Sequence, residues 1–192
     1  LLAEADIFSQ GYRPHAIAGI GFSPEDAARI NPGIIYVTLS AYGQSGPWEE
    51  RRGFESLVQT TTGFNHAEGQ AAGIDGPKEL PAQILDHATG YFMAFGAMMA
   101  KARQAREGGS WHVQVSLAQT GRWLWNLGRL ADGLASVDLT ATEATPFLEE
   151  VDSGFGPLRS VRHAAVLSKT LAFWARPAMP LGSHPPQWPA GA

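Results

Sequence analysis

One acidic residue stands where a carboxylate could do chemistry. Asp86 lies in "QILDHATGYFMAFGAMMA", behind Ile84 and Leu85 and at the start of a long run of helix formers. Keeping a charge beside such an apolar approach is costly unless something uses it. Two uses fit. As a helix N-cap, the carboxylate accepts a backbone N–H and complements the helix dipole. As a nucleophile, it is oriented and held ionised by the same helix terminus. The cap is the commoner use of such a residue, and the two roles are compatible. Thr89 and Gly90 follow, and Gly90 lets another backbone or a ligand come close.

The candidate anion contacts are arginines in loops. Arg51 and Arg52 precede Gly53 in "ERRGFES", and Arg13 follows a strand in "GYRPH". Guanidinium forks suit phosphate, although a solvated surface charge is the ordinary alternative. The loop "YGQSGPW", Tyr42 to Trp48, also follows a strand, where open α/β sheets bind ligands. It matches neither phosphate-binding glycine pattern, so a plain turn is its other reading.

Other chemistries find no support. His15, His66, His87, His112, His163 and His184 are scattered without metal-ligand spacing, so no metal is assigned. His87, adjacent to Asp86, points to a different side of a helix. The sequence has no cysteine, which removes thiol chemistry and disulfides. A net charge of -4 gives no general attraction to nucleic acid or to an anionic membrane. Trp123 and Trp125 therefore read as core or interface rather than as a base-stacking platform. The longest mostly apolar run, "YFMAFGAMMA", is about half of the roughly 20 residues a membrane span needs. The opening "LLAEADIFSQGYRPH" lacks the basic start of a signal peptide. A cytoplasmic protein is the expectation.

These residues need elements to hold them. "EADIFSQ" reads as a short strand, "SPEDAARI" as a helix capped by Ser23 with Pro24 in its first turn, and "IIYVTLS" as a strand buried on both faces. This βαβ order predicts an α/β fold. "FESLVQTTTG" reads as a short helix or turn, and "HAEGQAAGIDGPKELP" as a polar connector. A long helix from Asp86 to about Arg103 is stopped by "EGG", and "SWHVQVSL" alternates as a strand. Trp123, Leu124, Leu127 and Leu130 have the spacing of an amphipathic helix. The expected divisions are residues 1–132, a loop-like stretch over 133–160, and 161–192, where "VRHAAVLS" suggests a strand before an extended Pro-rich tail.

Taken together, "ADIFSQGYRPHAIAGIGFSPEDAARINPGIIYVTLSAYGQSGPW", "RRGFESLVQTTTG" and "LDHATGYFMAFGAMMAKARQAREGGSWHVQVSLAQT" resemble the family III CoA-transferases, the CaiB/BaiF family. "LSKTLAFWARPAMPLGSHPPQWP" resembles the C-terminal end of longer members. The resemblance implies a Rossmann-like large domain, incomplete here, and subunits that interlock as a dimer. It implies that Asp86 in "LDHATG" is the nucleophile of a transfer of coenzyme A between carboxylic acids, passing through a mixed anhydride and an aspartyl-CoA thioester. It implies that Tyr12 and Arg13 touch the nucleotide end of CoA, with Gly11 replacing the usual asparagine. Arg52, Gly53, Phe54 and Glu55 match a second contact segment, with Arg52 facing phosphate and Glu55 near the nucleophile. Gly19 stands where some members carry a further arginine. Related racemases place a catalytic histidine where this chain has Phe54, which cannot exchange a proton with a substrate α-carbon. That favours transfer over an α-methylacyl-CoA racemase-like activity. The N-terminal portion of longer members has no counterpart here, so a homodimer, a complementing N-terminal half or an inactive remnant are the expected contexts.

Overall fold

The computed structural model describes residues 1–188. The chain divides into two units, Leu1–Leu134 and Ala135–Ala192.

The first unit is built on a three-stranded parallel sheet, β1 (Ile7–Gln10), β2 (Ile35–Ser40) and β3 (Trp111–Ser116), with β2 in the middle. The continuous apolar run of β2 explains its place, because both of its faces are covered. Ile35 and Val37 pack with Ala97 and Ala100 on one face, while Ile34 and Tyr36 pack with Ala27 on the other. α1 (Pro24–Ile30) starts as its residues predict. The Asp26 N–H donates to Ser23 Oγ at 3.1 Å and the Ser23 N–H donates to Asp26 Oδ2 at 3.3 Å, a reciprocal capping box.

The long helix, α4 (Ile84–Glu107), begins earlier than Asp86. Its N-cap is Gln83, whose side chain makes no capping bond. It ends at Gly108, whose φ of +69° is open to glycine. A Cβ on Gly96 would stand 2.6 Å from Val113 Cγ1, so this glycine is what lets α4 lie close against β3. α2 (Glu55–Thr61) confirms the short helix, but the polar connector is in part helical, as α3 (Phe64–Ala72). Gly69 within it serves close packing. A Cβ on Gly69 would lie 2.0 Å from the Gly76 carbonyl oxygen. α5 (Leu117–Asn126) stops short of the predicted apolar stripe: Leu127 caps it, Gly128 follows at φ +82°, and Leu130 is 82% exposed.

The second unit departs further from expectation. The stretch read as loop over 133–160 contains α6 (Ala141–Ala144), β4 (Leu148–Ser153) and most of β5 (Gly156–Val161). β4 and β5 pair antiparallel from Leu148↔Val161 to Ser153↔Gly156. Acidic and small residues fill these strands, so no apolar run announces them. "VRHAAVLS" is not a further strand, as only Val161 belongs to β5. Residues 177–188 carry neither helix nor strand, as a Pro-rich tail should, and the remainder of the tail lies outside the described residues. Among the described residues, no helix is long and apolar enough to cross a membrane.

Candidate active site

The candidate residues gather at the C-terminal ends of the strands. Tyr12 and Arg13 directly follow β1, the Tyr42–Trp48 loop follows β2, and α5 follows β3. α4 brings its N-terminus to the same end, since Leu85 packs there with Ala41 and Leu117.

Asp86 is the third residue of α4 and is exposed, with no part in capping. The cap reading therefore fails, and the carboxylate stands in the first turn, at the positive end of the helix dipole. Its neighbours hold it in place. Leu85 and Thr89 each have 0% exposure, and Thr89 Oγ1 donates to Thr120 Oγ1 at 2.7 Å.

Glu55, the first residue of α2, is turned inward with 1% exposure. Its Oε1 accepts from the Leu85 N–H at 3.1 Å and from Gln59 Nε2 at 2.7 Å. Glu55 thus reaches the backbone one residue before Asp86. Phe54 faces the other way, 89% exposed.

Of the clefts at the strand ends, two share Arg13. A cleft of about 350 Å³ is lined by Gln10, Tyr12, Arg13, Tyr36, Thr38 and His112, among others. A second, of about 440 Å³, is lined by Arg13, Arg51, Arg52, Tyr42 and Trp48, among others. The Arg51 guanidinium lies 4.8 Å over the Trp48 ring, which stands edge-on to Tyr42 at 4.9 Å. Gly53 sits against that aromatic pair, where a Cβ would come 3.3 Å from Tyr42 Oη. The geometry gathers three guanidinium groups and two aromatic rings, suited to phosphates joined to a planar base. Neither cleft is lined by Asp86 or Glu55. The segment from Arg51 to Glu55 joins the arginine cleft to the turn that carries Asp86.

Two features were not foreseen from sequence. His112 Nε2 shares a 2.8 Å hydrogen bond with Thr38 Oγ1, and its ring stands edge-on to Tyr36 at 5.4 Å. Desolvation of the ring pushes its pKa below the ordinary range, and the Glu25 carboxylate partly opposes this. His15 forms a 2.8 Å ion pair with Glu50, and that hydrogen bond pushes the His15 pKa up. The alternation of β3 was the only available sign that His112 and Gln114 share a face.

Residues 1–137 match the family model described as CoA-transferase family III. The chain belongs to that family. It is 36% identical over 100 residues to the succinyl-CoA:glutarate CoA-transferase of Mus musculus, covering 52% of this chain. It is 30% identical over 128 residues to the acetyl-coenzyme A transferase nodX of Hypoxylon pulicicidum, covering 65% of this chain. The chain spans 22% of the length of each of these relatives. The crystal structure of a CAIB/BAIF family protein from Brucella suis has the same fold with a TM-score of 0.60 and 22% identity, covering 81% of this chain and 42% of that one.

Proposed function

We propose that this chain carries the nucleophile of an enzyme that transfers coenzyme A between carboxylic acids, with Asp86 as that nucleophile. A carboxylate oxygen of Asp86 attacks the thioester carbonyl of an acyl-CoA. The C–S bond breaks, CoA leaves as its thiolate, and the acyl group remains on Asp86 as a mixed anhydride. The thiolate then attacks the Asp86 carbonyl carbon, releasing the donor acid and leaving an aspartyl-CoA thioester. An acceptor carboxylate attacks that thioester, and the returned thiolate takes the new acyl group and restores Asp86. Covalent catalysis of this kind replaces one hard exchange with several easier ones.

The carrying observation is the exposed carboxylate of Asp86 in the first turn of α4, at the strand ends that also hold the arginine cleft. Tyr12, Arg13 and Arg52 are assigned to the nucleotide end of CoA, with the arginines on phosphate. The chain spans 22% of the length of the two transferases named above, and the remainder of the substrate pocket is not assigned to its residues. The exposed Phe54 supplies no proton-transfer group, which supports transfer over racemisation.

Mass spectrometry after incubation with acetyl-CoA or succinyl-CoA and trapping by borohydride or hydroxylamine tests the claim. Modification at Asp86 is expected in the native chain and none in Asp86→Asn. A folded, CoA-binding chain that is never modified at Asp86 ends the proposal. Solvent deuterium entering the substrate α-carbon would support the racemase reading instead.

A further inference from the structure

Gln59 and Glu55 lie four residues apart on one face of α2, with 3% and 1% exposure. Together they grip the backbone that leads into α4. Gln59 Nε2 donates to Glu55 Oε1 at 2.7 Å and to the Ala82 carbonyl at 3.2 Å. Gln59 Oε1 accepts from the Leu80 N–H at 3.2 Å, and Glu55 Oε1 accepts from the Leu85 N–H at 3.1 Å. Residues 74–83 are neither helix nor strand; the Lys78 N–H, donating to the Asn65 carbonyl at 2.9 Å, ties the middle of the segment to α3, and the Gln59 and Glu55 bonds tie the end that enters α4. The Leu85 N–H is one of the donors that every helix start leaves without an internal partner. Gln83, the N-cap, does not serve it with its side chain. A carboxyl group from another helix does.

The placement has a direct consequence for Asp86. Slipping α4 by one residue would turn its side chains by about 100° about the helix axis. The Leu85 bond, made at the preceding residue, opposes that slip where it matters. The character of the bonds is also informative. Glu55 Oε1 receives only N–H donors from uncharged groups, and Oε2 is buried with no partner among the described residues. Among the described residues no cation answers the carboxylate. What the site uses is an acceptor oxygen at a fixed place.

We infer that Glu55 and Gln59 are positioning residues that aim the Asp86 carboxylate, with Glu55 acting as a hydrogen-bond acceptor and neither touching CoA. This rests on Asp86 being the nucleophile.

The test uses the full chain with Glu55→Gln, Glu55→Leu, Gln59→Leu and Gln59→Asn. It compares thermal unfolding, amide exchange at Leu80 and Leu85, CoA affinity by titration, and the rate of Asp86 modification by acetyl-CoA under borohydride. Glu55→Gln keeps the acceptor oxygen and should be modified within about threefold of the native rate, whereas Glu55→Leu and Gln59→Leu should fall on the order of ten- to a hundredfold with CoA affinity unchanged. Should Gln59→Leu fail to fold, Gln59→Asn shortens the arm while keeping its polarity, and the same fall is expected. Native-like modification of either Gln59 variant, despite faster exchange at Leu80, overturns the inference. So does a Glu55→Gln variant as slow as Glu55→Leu, which would show that the charge itself acts. If the native chain takes no label while Leu85 exchange still responds to Glu55→Leu, the nucleophile reading has failed and the positioning role falls with it.

Discussion

His112 shows how one side chain ties the cleft lined by Tyr12, Tyr36 and Thr38 to stability. It is partly open to solvent, yet its ring packs against Tyr36 and bonds Thr38, and desolvation lowers its pKa from 6.5. Above pH 6.5 the ring is neutral in both folded and unfolded chains, and its contribution is fully present. As the pH falls through that value, the unfolded chain takes up a proton that the folded chain resists, and stability is lost down to the lower folded pKa. His15 has the opposite sign: its pairing with Glu50 stabilises below 6.5 and is lost as the pH rises through its raised pKa. That pair is fully solvated, so its share is small. Denaturant melts on either side of pH 6.5 should show acid-side loss in the native chain and less of it in His112→Gln. Equal losses in the two proteins would remove His112 from the explanation.

Elements whose ends are specified by their own residues were readable from sequence, and those specified by tertiary partners were not. α1 declares itself through Ser23, Pro24 and Asp26, and β2 through its unbroken apolar run. Ser23→Ala should accordingly cost about 1 kcal/mol by equilibrium denaturation, since it removes the oxygen that caps Asp26 N–H. α4 is the contrary case. Its start has no capping side chain of its own, because Glu55 supplies the bond from α2. Sequence therefore placed the helix start at Asp86, the one residue that looked like a cap. The i, i+4 spacing of Glu55 and Gln59 hinted at a shared face, but their partners are backbone groups at Leu80, Ala82 and Leu85, which carry no sequence signature. The candidate nucleophile and the arginines could be named because motif resemblance pointed to them. Their support could not. The hairpin of β4 and β5 escaped for a further reason: its alternation is between half-buried and exposed positions, with acidic residues and a proline along the strands.

At the scale of the molecule, the family match covers residues 1–137, the whole of the first unit, while the relatives extend far beyond it. Asp86, the proposed nucleophile, and the arginine cleft both lie within that unit. The sheet itself has a further implication. With β2 in the centre, the flanks of β1 and β3 that face away from it present rows of amide and carbonyl groups with no strand beside them among the described residues. Such rows are templates for whatever extended backbone arrives first. Light scattering of the chain alone should show concentration-dependent growth that a charged substitution at an exposed position of β3, such as Gln114→Lys, slows; an unchanged rate would clear this strand. By the same token the rim is sticky ground, where further polypeptide would find its register already laid out.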